Sequence, residues 1–523
     1  MTFLFCCKSF IKRVNKTMRA ERRREIERQM NNEKSVAPQK NGLFVFISLL
    51  YIAAAGAFLY FIFKLDVLPA KYLYGGIGVL AVISLFTLPV MISSKGKHGR
   101  KVGAAILSLI MIMGFGLGTY YLYSTSDFLD DITKKSVPTE RFYVLVKKAD
   151  MPKGEEYENM SKAEKRAHNL ESLAGSTVGT FASNDNMYSK AKAMLQEKTT
   201  VEYAYDDQAA TSVQRLINGE HKSILIPKAT YEALRTEGTF DMKKETGILY
   251  TVRVPKETVD RTRAVDVTKE CFNIYVSGTD QDGARTDVNM IATVNPVKHE
   301  VLLTSIPRDL YVELPSKEAK DKLTHSSIYG MEETVAAAEK EFGIEINYFV
   351  RVGYSAVRGV VNAIGGIDVE SQYDFYTSGM GRLDGTHFVV GINHMDGDAA
   401  LAFCRERHSF MSGDMTRNEN QQAVLQAILE KATSSKEILT SYTSILDAVS
   451  GKMKTDMSTD DMSALIKMQL NSMPKWTIRK TAIKGETGSD FCYSLGQYAS
   501  VVYAMPDEIT KACDEMAKTC MMD

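Results

Sequence analysis

Three long apolar stretches dominate the hydrophobic pattern near the start of the chain. They cover residues 43–63, 72–92 and 102–123 and contain no charged side chain. Each is close to the roughly 20 residues that a helix needs to cross a bilayer. The pattern therefore predicts three transmembrane helices within residues 42–123.

Basic residues flank these stretches unevenly. The tail, residues 1–41, holds eleven Lys or Arg against four Asp or Glu, and the connector 95–101 is also basic, whereas the connector 64–71 is less so. Because Lys and Arg concentrate at the cytoplasmic ends of membrane helices, we expect the tail and the connector 95–101 inside the cell. Three crossings then place everything after residue 123 outside, in a multi-pass protein of the cell membrane with a cytoplasmic N-terminus.

The tail and the residues after the third stretch are both strongly polar. Residues 18–30 interleave Arg and Glu at spacings of three and four, which predicts a charged helix facing solvent or lipid headgroups. Anionic membrane lipid is a sufficient partner for such a segment, so nucleic acid is not an expected partner. Residues 124–137 predict a linker.

Strand-like and helical patterns alternate after the linker, in a chain of 523 residues that is too long for one ordinary core. The short apolar runs that indicate strands are 142–146, 176–181, 201–205 and 223–226, and the helical runs are 186–197 and 211–218. Their order predicts a small α/β accessory unit over residues 139–255.

A second α/β pattern occupies residues 265–523, with its core at 271–433 and a C-terminal extension. Strands are predicted at 272–276, 288–294, 301–306, 348–352 and 367–369, and helices at 332–342 and 355–364. Ser355 suits the start of its helix and Gly365 the end. The alternation predicts an α/β sandwich, a mixed sheet covered by helices.

Polar residues interrupt the strand pattern first at 280–289. On an extended strand Arg285, Asp287 and Asn289 share one face, and Asp280 follows the preceding strand, where it would meet Asp287 across a hairpin. Two such carboxylates suit Mg²⁺ or Mn²⁺, which prefer oxygen ligands. A solvated sheet edge would give the same alternation.

Three further arginines are candidates for anion binding. Arg308 and Asp309 follow an apolar strand, at the strand-end position where α/β sheets bind ligands, although a simple ion pair between them is the alternative. Arg405 and Arg407 favour an anion unless Glu406 or Asp414 neutralises one of them.

A helix follows these arginines. Thr416 and Glu419 form a capping-box pattern that places Arg417 in the first turn. Arg417 and Gln421 then share a face that continues into apolar residues, and the free amides of a helix N-terminus attract anions. A surface arginine is the alternative interpretation.

The cysteines do not form a disulfide framework or a metal motif. Cys6 and Cys7 fall in the tail, and an odd number remain outside: Cys271, Cys404, Cys492, Cys513 and Cys520. Either one pair near the C-terminus is oxidised or most are unpaired packing residues.

The chain also lacks the Gly-x-Ser-x-Gly, Walker and His-Glu-x-x-His motifs, so serine hydrolase, P-loop and zincin chemistry lose their usual support.

Taken in order, the motifs of residues 271–431 resemble the LytR-CpsA-Psr family of cell-envelope phosphotransferases. The matching segments are 278–280, 285–287, 295–296, 305–309, 322–324, 365–369, 396–397, 405–407 and 413–417. The three spans and the accessory unit resemble the family's streptococcal-type capsule-assembly members. Residues 420–421 depart from the pattern, with Asn-Gln where members often carry Arg-Gln.

The resemblance implies transfer of a glycopolymer, such as capsule or a teichoic-acid-like polymer, from an undecaprenyl-pyrophosphate carrier to peptidoglycan in the envelope of a Gram-positive bacterium. It implies that Asp280 and Asp287 hold the metal. Pyrophosphate binding would fall to the basic residues and one glutamine: Arg285, Arg308, Lys322, Arg405, Arg407, Arg417 and Gln421. Asp309 and Asp414 would orient them. The polyprenyl chain would lie in an apolar groove between sheet and helices.

Two other functions fit the same sequence. A membrane-bound envelope regulator would need the basic tail and not the arginines. A non-catalytic polymer-binding scaffold would tolerate loss of Asp280 and Asp287. The paired carboxylates favour the enzyme.

Overall fold

The computed structural model describes residues 18, 22–25, 27, 42–93, 98–133, 139–181, 183, 185–255, 265–279, 286–379, 383–411, 413–434 and 437–521. The chain divides into two compact units, Met1–Tyr123 and Ser124–Asp523. Of the charged helix predicted at 18–30, positions 18, 22–25 and 27 are helical, and the rest lies outside the described residues.

Within the described residues, three helices are long and apolar enough to cross a membrane: α1 (Gly42–Leu65), α2 (Ala70–Ile92) and α3 (His98–Ile132). They confirm the predicted helices. The linker expected from residue 124 is wrong as far as Ile132, because α3 continues through it. Leu129 and Ile132, three positions apart and both buried, give this last part of α3 an apolar face.

Residues 139–255 form the accessory region. Its strands are β1 (Thr139–Lys147), β2 (Ser176–Phe181), β3 (Val201–Asp206), β4 (Ser223–Pro227) and β5 (Thr246–Pro255). Its α-helices are α4 (Glu155–Asn159), α5 (Lys162–Glu171), α6 (Asn186–Gln196), α7 (Ala209–Asn218), α8 (Lys228–Thr236) and α9 (Met242–Glu245), and a 3₁₀ turn spans Lys148–Asp150. The sheet order is β3-β2-β4-β1-β5, parallel where β2 meets β3 and β4 and antiparallel elsewhere. The small α/β unit is confirmed.

Both faces of the accessory sheet are buried. Phe142 and Val144 pack on one face, beneath α6, while Leu145 and Ile226 pack on the other. The cluster on this second face includes Cys492, from the second half of the same unit. The accessory region therefore shares an apolar core with the rest of the unit.

Residues 265–523 form the sandwich region. Its strands are β6 (Phe272–Thr279), β7 (Thr286–Asn295), β8 (Glu300–Ser305), β9 (Tyr311–Leu314), β10 (Ala319–Lys322), β11 (Tyr348–Gly353), β12 (Ile367–Ser371), β13 (Phe375–Tyr376), β14 (His387–Phe388), β15 (Gly391–Met395), β16 (Met453–Thr455), β17 (Thr477–Ala482), β18 (Gly485–Cys492) and β19 (Gln497–Ala504). Its helices are α10 (Leu323–Ser326), α11 (Met331–Phe342), α12 (Tyr354–Ala363), α13 (Gly397–Arg405), α14 (Gly413–Ser434), α15 (Glu437–Val449), α16 (Thr459–Ser472) and α17 (Pro506–Cys520).

The main sheet of this region is mixed, with described strands in the order β16-β11-β6-β7-β8-β17. Strand β11 runs parallel to β6 and β17 parallel to β8, while β6, β7 and β8 form an antiparallel meander. Helix α11 packs against one apolar cluster, and α12, α13 and α14 share another. The structure confirms the predicted α/β sandwich and the pairing of neighbouring strands.

Two predicted helix starts are wrong. Helix α12 is capped by Gly353 and begins at Tyr354, so Ser355 lies inside it. Helix α14 begins at Gly413, so Thr416 is not its cap and Arg417 lies beyond the first turn. Thr416 is buried, and its hydroxyl is therefore packed inside the protein rather than placed at a helix terminus.

A disulfide joins Cys271, just before β6, to Cys520 at the end of α17. Helix α17 lies beside β7, where Asn295 Nδ2 donates to the Thr519 carbonyl oxygen at 2.8 Å, and this brings the two cysteines together. The alternative of a pair confined to the C-terminal cysteines is wrong. Among the described cysteines, three remain as thiols: Cys404, Cys492 and Cys513.

Candidate functional site

One edge of the main sheet collects most of the described candidate residues. Strands β6, β8 and β11 end at this edge and β7 begins there, because β7 runs antiparallel to β6 and β8 while β11 runs parallel to β6. Asp287 lies at the start of β7, Arg308 follows β8, and Tyr354 follows β11. The topology therefore brings three distant segments to one place.

An ion pair links the first two segments. Arg308 Nη1 donates to Asp287 Oδ1 at 2.9 Å, and Arg308 Nε lies 3.5 Å from Asp309 Oδ2. All three side chains keep between 16% and 22% of their surface exposed. The Arg–Asp ion pair that the sequence left open as an alternative is present, at a position that a ligand can still reach.

Tyr354 connects Asp287 to a third segment. Its hydroxyl donates to Asp287 Oδ2 at 3.4 Å, and the guanidinium carbon of Arg405 lies 5.8 Å from the centre of its ring, a cation–π distance. Burial and the Asp287 carboxylate raise the pKa of Tyr354, while the charges of Arg417 and Arg405 act in the opposite direction. Tyr354 therefore links Asp287 to Arg405 at the end of α13.

The sequence prediction missed Tyr354. The signal for it was its position directly after a strand, at the same edge as Arg308.

Glu406 holds the loop that carries Arg405 and Arg407. Its buried carboxylate accepts hydrogen bonds from the backbone N–H groups of Ser378 at 2.7 Å, Arg407 at 2.9 Å and Ser409 at 3.0 Å. These three backbone donors fix the Glu406 carboxylate within the loop. Both arginines are exposed.

Helix α14 fixes the end of α13, where Arg405 lies. Gln421 Nε2 donates to the Cys404 carbonyl oxygen, and Asn420 Nδ2 donates to that of Phe403, both at 3.3 Å. Arg417 and Gln421 are buried on this face of α14. The surface-arginine alternative is therefore wrong for Arg417, and the shared face predicted from the sequence is confirmed.

Lys322 extends the site toward the accessory region. Its Nζ lies 3.8 Å from Asp309 Oδ1 and 3.2 Å from Glu237 Oε1, and only 4% of its side chain is exposed. The segment after it is tied to the same edge, because the Thr324 hydroxyl donates to the Thr286 carbonyl oxygen at 3.1 Å.

Not every predicted residue joins this cluster. Asp280 and Arg285 lie outside the described residues, as does the side chain of Asp414. Asn289 is buried, where it accepts a hydrogen bond from the Tyr275 hydroxyl at 2.9 Å, so the predicted polar face of β7 does not extend to it. The reason is that β7 is a central strand covered on both faces, whereas strict alternation marks a strand with one solvated face.

A divalent cation needs oxygen ligands, which carboxylates supply. No group of three or more His, Cys, Asp or Glu that could hold a metal occurs among the described residues. Mg²⁺ is typically held by one or two carboxylates together with substrate phosphates and water. Asp287, a fifth exposed at the strand edge, fits that requirement as one ligand.

We expect acid to destabilise the contact between Lys322 and Glu237. The imidazole of His325, whose Nε2 lies 3.6 Å from Glu237 Oε1, and the charge of Lys322 lower the pKa of Glu237 from 4.5 to about 2, despite partial burial. A carboxylate with a lower pKa in the folded state stabilises the fold above its unfolded-state pKa, and this stabilisation is lost as the pH falls from about 4.5 to 2. Urea unfolding of the wild type and Glu237→Gln across this range should show a shallower pH dependence for the variant. Parallel curves would contradict the expectation.

More than half of the chain resembles one known protein family. The LytR_cpsA_psr family matches residues 242–518. The chain is 35% identical over 219 residues to a polyisoprenyl-teichoic acid–peptidoglycan teichoic acid transferase TagU of Enterococcus faecalis, covering 40% of this chain and 70% of that protein. It is 33% identical over 217 residues to the protein of the same name from Bacillus cereus, covering 40% and 69%. The crystal structure of B. subtilis TagU is 26% identical, with a TM-score of 0.38 over 49% of this chain and 99% of that one.

Proposed function

Because the chain belongs to the LytR-CpsA-Psr family and is a phosphotransferase, we propose that it transfers a glycopolymer from an undecaprenyl-pyrophosphate carrier to peptidoglycan. The relatives named as teichoic acid transferases support a teichoic-acid-type polymer. The three spans and the accessory region favour a capsule polymer as the second possibility. The partners of the protein are then the lipid-linked polymer and the peptidoglycan acceptor.

The proposed reaction is a phosphoryl transfer without a protein nucleophile. A hydroxyl oxygen of peptidoglycan attacks the phosphorus next to the sugar, the bond to the bridging oxygen breaks, and undecaprenyl phosphate leaves. The hydroxyl proton passes to a carboxylate of the site, and a phosphodiester remains. Such a reaction depends on positioning and on stabilisation of negative charge. Cys404 does not compete as a nucleophile, because burial raises the pKa of its thiol to about 12.

The cluster of Arg405, Tyr354 and the Arg308–Asp287 pair at one edge of the sheet supports this proposal most directly. Guanidinium groups bind phosphate oxygens through paired N–H donors. We assign the pyrophosphate to the basic residues of this edge and their neighbours: Arg285, Arg308, Lys322, Arg405, Arg407, Arg417 and Gln421. Asp309 would hold Arg308 and Lys322 in place.

We assign the divalent cation to Asp280 and Asp287. Bound Mg²⁺ would neutralise charge on the pyrophosphate oxygens. Asp287 contributes in a second way, because it holds Arg308 and Tyr354 through separate carboxylate oxygens.

We place this site on the outer face of the membrane. The basic tail and the connector 95–101 favour a cytoplasmic N-terminus, and three crossings then lead outside. The Cys271–Cys520 disulfide supports that placement, because disulfides persist in oxidising compartments.

The test is transfer by the purified chain in detergent, with a lipid-linked pyrophosphate sugar and peptidoglycan as substrates. We expect phosphodiester-linked product with Mg²⁺ and at least about tenfold less after chelation or with Asp287→Asn, because charge neutralisation drives the reaction. Transfer that is absent, or that Arg285→Ala leaves unchanged, would contradict the enzymatic function and favour a scaffold.

A further inference from the structure

The accessory region contributes one carboxylate, that of Glu237, at the edge of the site. Glu237 directly follows α8 and lies just before the segment that matches the family. Its Oε1 accepts a hydrogen bond from Lys322 Nζ at 3.2 Å, and three quarters of its side chain is buried. The contact therefore joins a residue outside the family segment to one of the proposed pyrophosphate residues.

Two buried residues, His325 and Asp321, lie next to Glu237 and support its position. His325 Nε2 lies 3.6 Å from Glu237 Oε1, and His325 Nδ1 lies 2.7 Å from Asp321 Oδ1. Asp321 is anchored in turn by the backbone N–H of Ser494, at 2.6 Å from its other oxygen. His325 and Asp321 are both fully buried, so this support is rigid.

Lys322 depends on such a partner because its ammonium is buried. An ammonium taken out of water is costly unless carboxylates surround it. The described residues supply two within 4 Å: Glu237 at hydrogen-bond distance and Asp309 at 3.8 Å. Glu237 is the closer of the two.

Asp309 is shared between two cations. It lies 3.5 Å from Arg308 as well as near Lys322, and Arg308 pairs with Asp287. If Lys322 loses Glu237, it will draw Asp309 toward itself and away from Arg308. A change in the accessory region would then alter the position of the guanidinium that is proposed to bind pyrophosphate.

We propose that Glu237 is a positioning residue of the transfer site, which sets Arg308 through Lys322 and Asp309. The accessory region is then part of the phosphotransfer machinery in this chain. The inference rests on the proposed function, because the position of Arg308 affects a reaction rate only if the site transfers a phosphoryl group.

The structure offers a matched control for docking between the two regions. Lys317 of the sandwich region pairs with Glu140 at 3.2 Å and with Asp185 at 2.8 Å, both in the accessory region. Among the described contacts, this second ion pair is remote from Arg308. Lys317 Nζ lies 4.8 Å from the centre of the Tyr329 ring, the Tyr329 hydroxyl contacts Ser494 Oγ, and from Ser494 the contacts run through Asp321 and His325 to Glu237. Glu140→Gln therefore weakens the junction between the regions and leaves the chain of contacts through Lys322 intact.

The experiment measures kcat and KM of the full-length chain in detergent, with a lipid-linked pyrophosphate sugar and peptidoglycan. Glu237→Gln should lower kcat on the order of tenfold, because a small displacement of a positioning group lowers the rate of reaction more than it weakens substrate binding. Glu237→Asp should recover part of the lost kcat. Glu140→Gln should leave kcat close to the wild-type value, because Lys317 keeps Asp185 as a partner at 2.8 Å. In a Lys322→Met background, Glu237→Gln should cost nothing further, because Glu237 acts through Lys322.

Each outcome decides between the two proposals. A wild-type chain without transfer overturns the proposed function and the inference together. An active wild-type chain whose kcat is unchanged by Glu237→Gln overturns the inference alone. The same holds if Glu140→Gln lowers kcat as much, or if the Glu237→Gln loss persists in Lys322→Met, because the effect would then come from docking of the regions.

Discussion

Replacing Arg405 with alanine should lower the rate of transfer by about 100- to 1,000-fold, the loss that follows removal of one charge-stabilising donor from a phosphoryl or acyl transfer site. Arg405 is exposed and lies over the ring of Tyr354, so its guanidinium is held at the site while its N–H groups remain accessible to an anion. Turnover with a lipid-linked pyrophosphate sugar measures the effect, and thermal unfolding should change little.

Two variants sharpen this prediction. Arg405→Lys keeps the charge but loses the paired N–H donors and the planar stacking, so its activity should be intermediate. Arg358→Ala removes an arginine of α12 whose partner is Asp398 at 3.5 Å. Arg358 has no proposed role in pyrophosphate binding, so this variant should leave the rate of transfer unchanged. Equal losses in Arg405→Ala and Arg358→Ala would show that the loss reflects general surface charge.

The sequence predicts several residues at this sheet edge, because the signal for them lies in neighbouring positions along the chain. Apolar runs that end in polar residues mark strand ends, and Arg308 and Asp309 follow such a run. Asp287 was predicted because it shares one face of an extended strand with Arg285 and Asn289. The convergence of these segments then follows from the antiparallel meander, which short connections favour.

The residues that the sequence missed act through tertiary contacts. Tyr354 looks like an ordinary helix residue until β11 aligns with β6 and brings it to Asp287. Glu237 gives no signal at all, because its partner Lys322 is 85 positions away along the chain. The cap predicted at Thr416 failed for a similar reason, since a local motif cannot reveal that the side chain is buried.

Loss of the disulfide should have the largest effect on stability. Cys271 and Cys520 are 249 positions apart, so the crosslink closes most of the sandwich region into one loop and restricts its unfolded state. We expect the double variant Cys271→Ser/Cys520→Ser to lose about 2–5 kcal/mol of unfolding free energy. Urea unfolding of the full chain in detergent, under non-reducing conditions, measures this loss.

Cys513→Ser is the matched control, because Cys513 lies on the same helix, α17, as a free thiol. Its sulfhydryl donates to the Phe342 carbonyl oxygen at 3.3 Å, so its replacement should cost about 1 kcal/mol or less. Reductant should destabilise the wild type and Cys513→Ser equally and leave the double variant unchanged. If reductant has no effect on the wild type, the two cysteines are not joined in the folded protein, and the support that the disulfide gives to an extracellular site is lost.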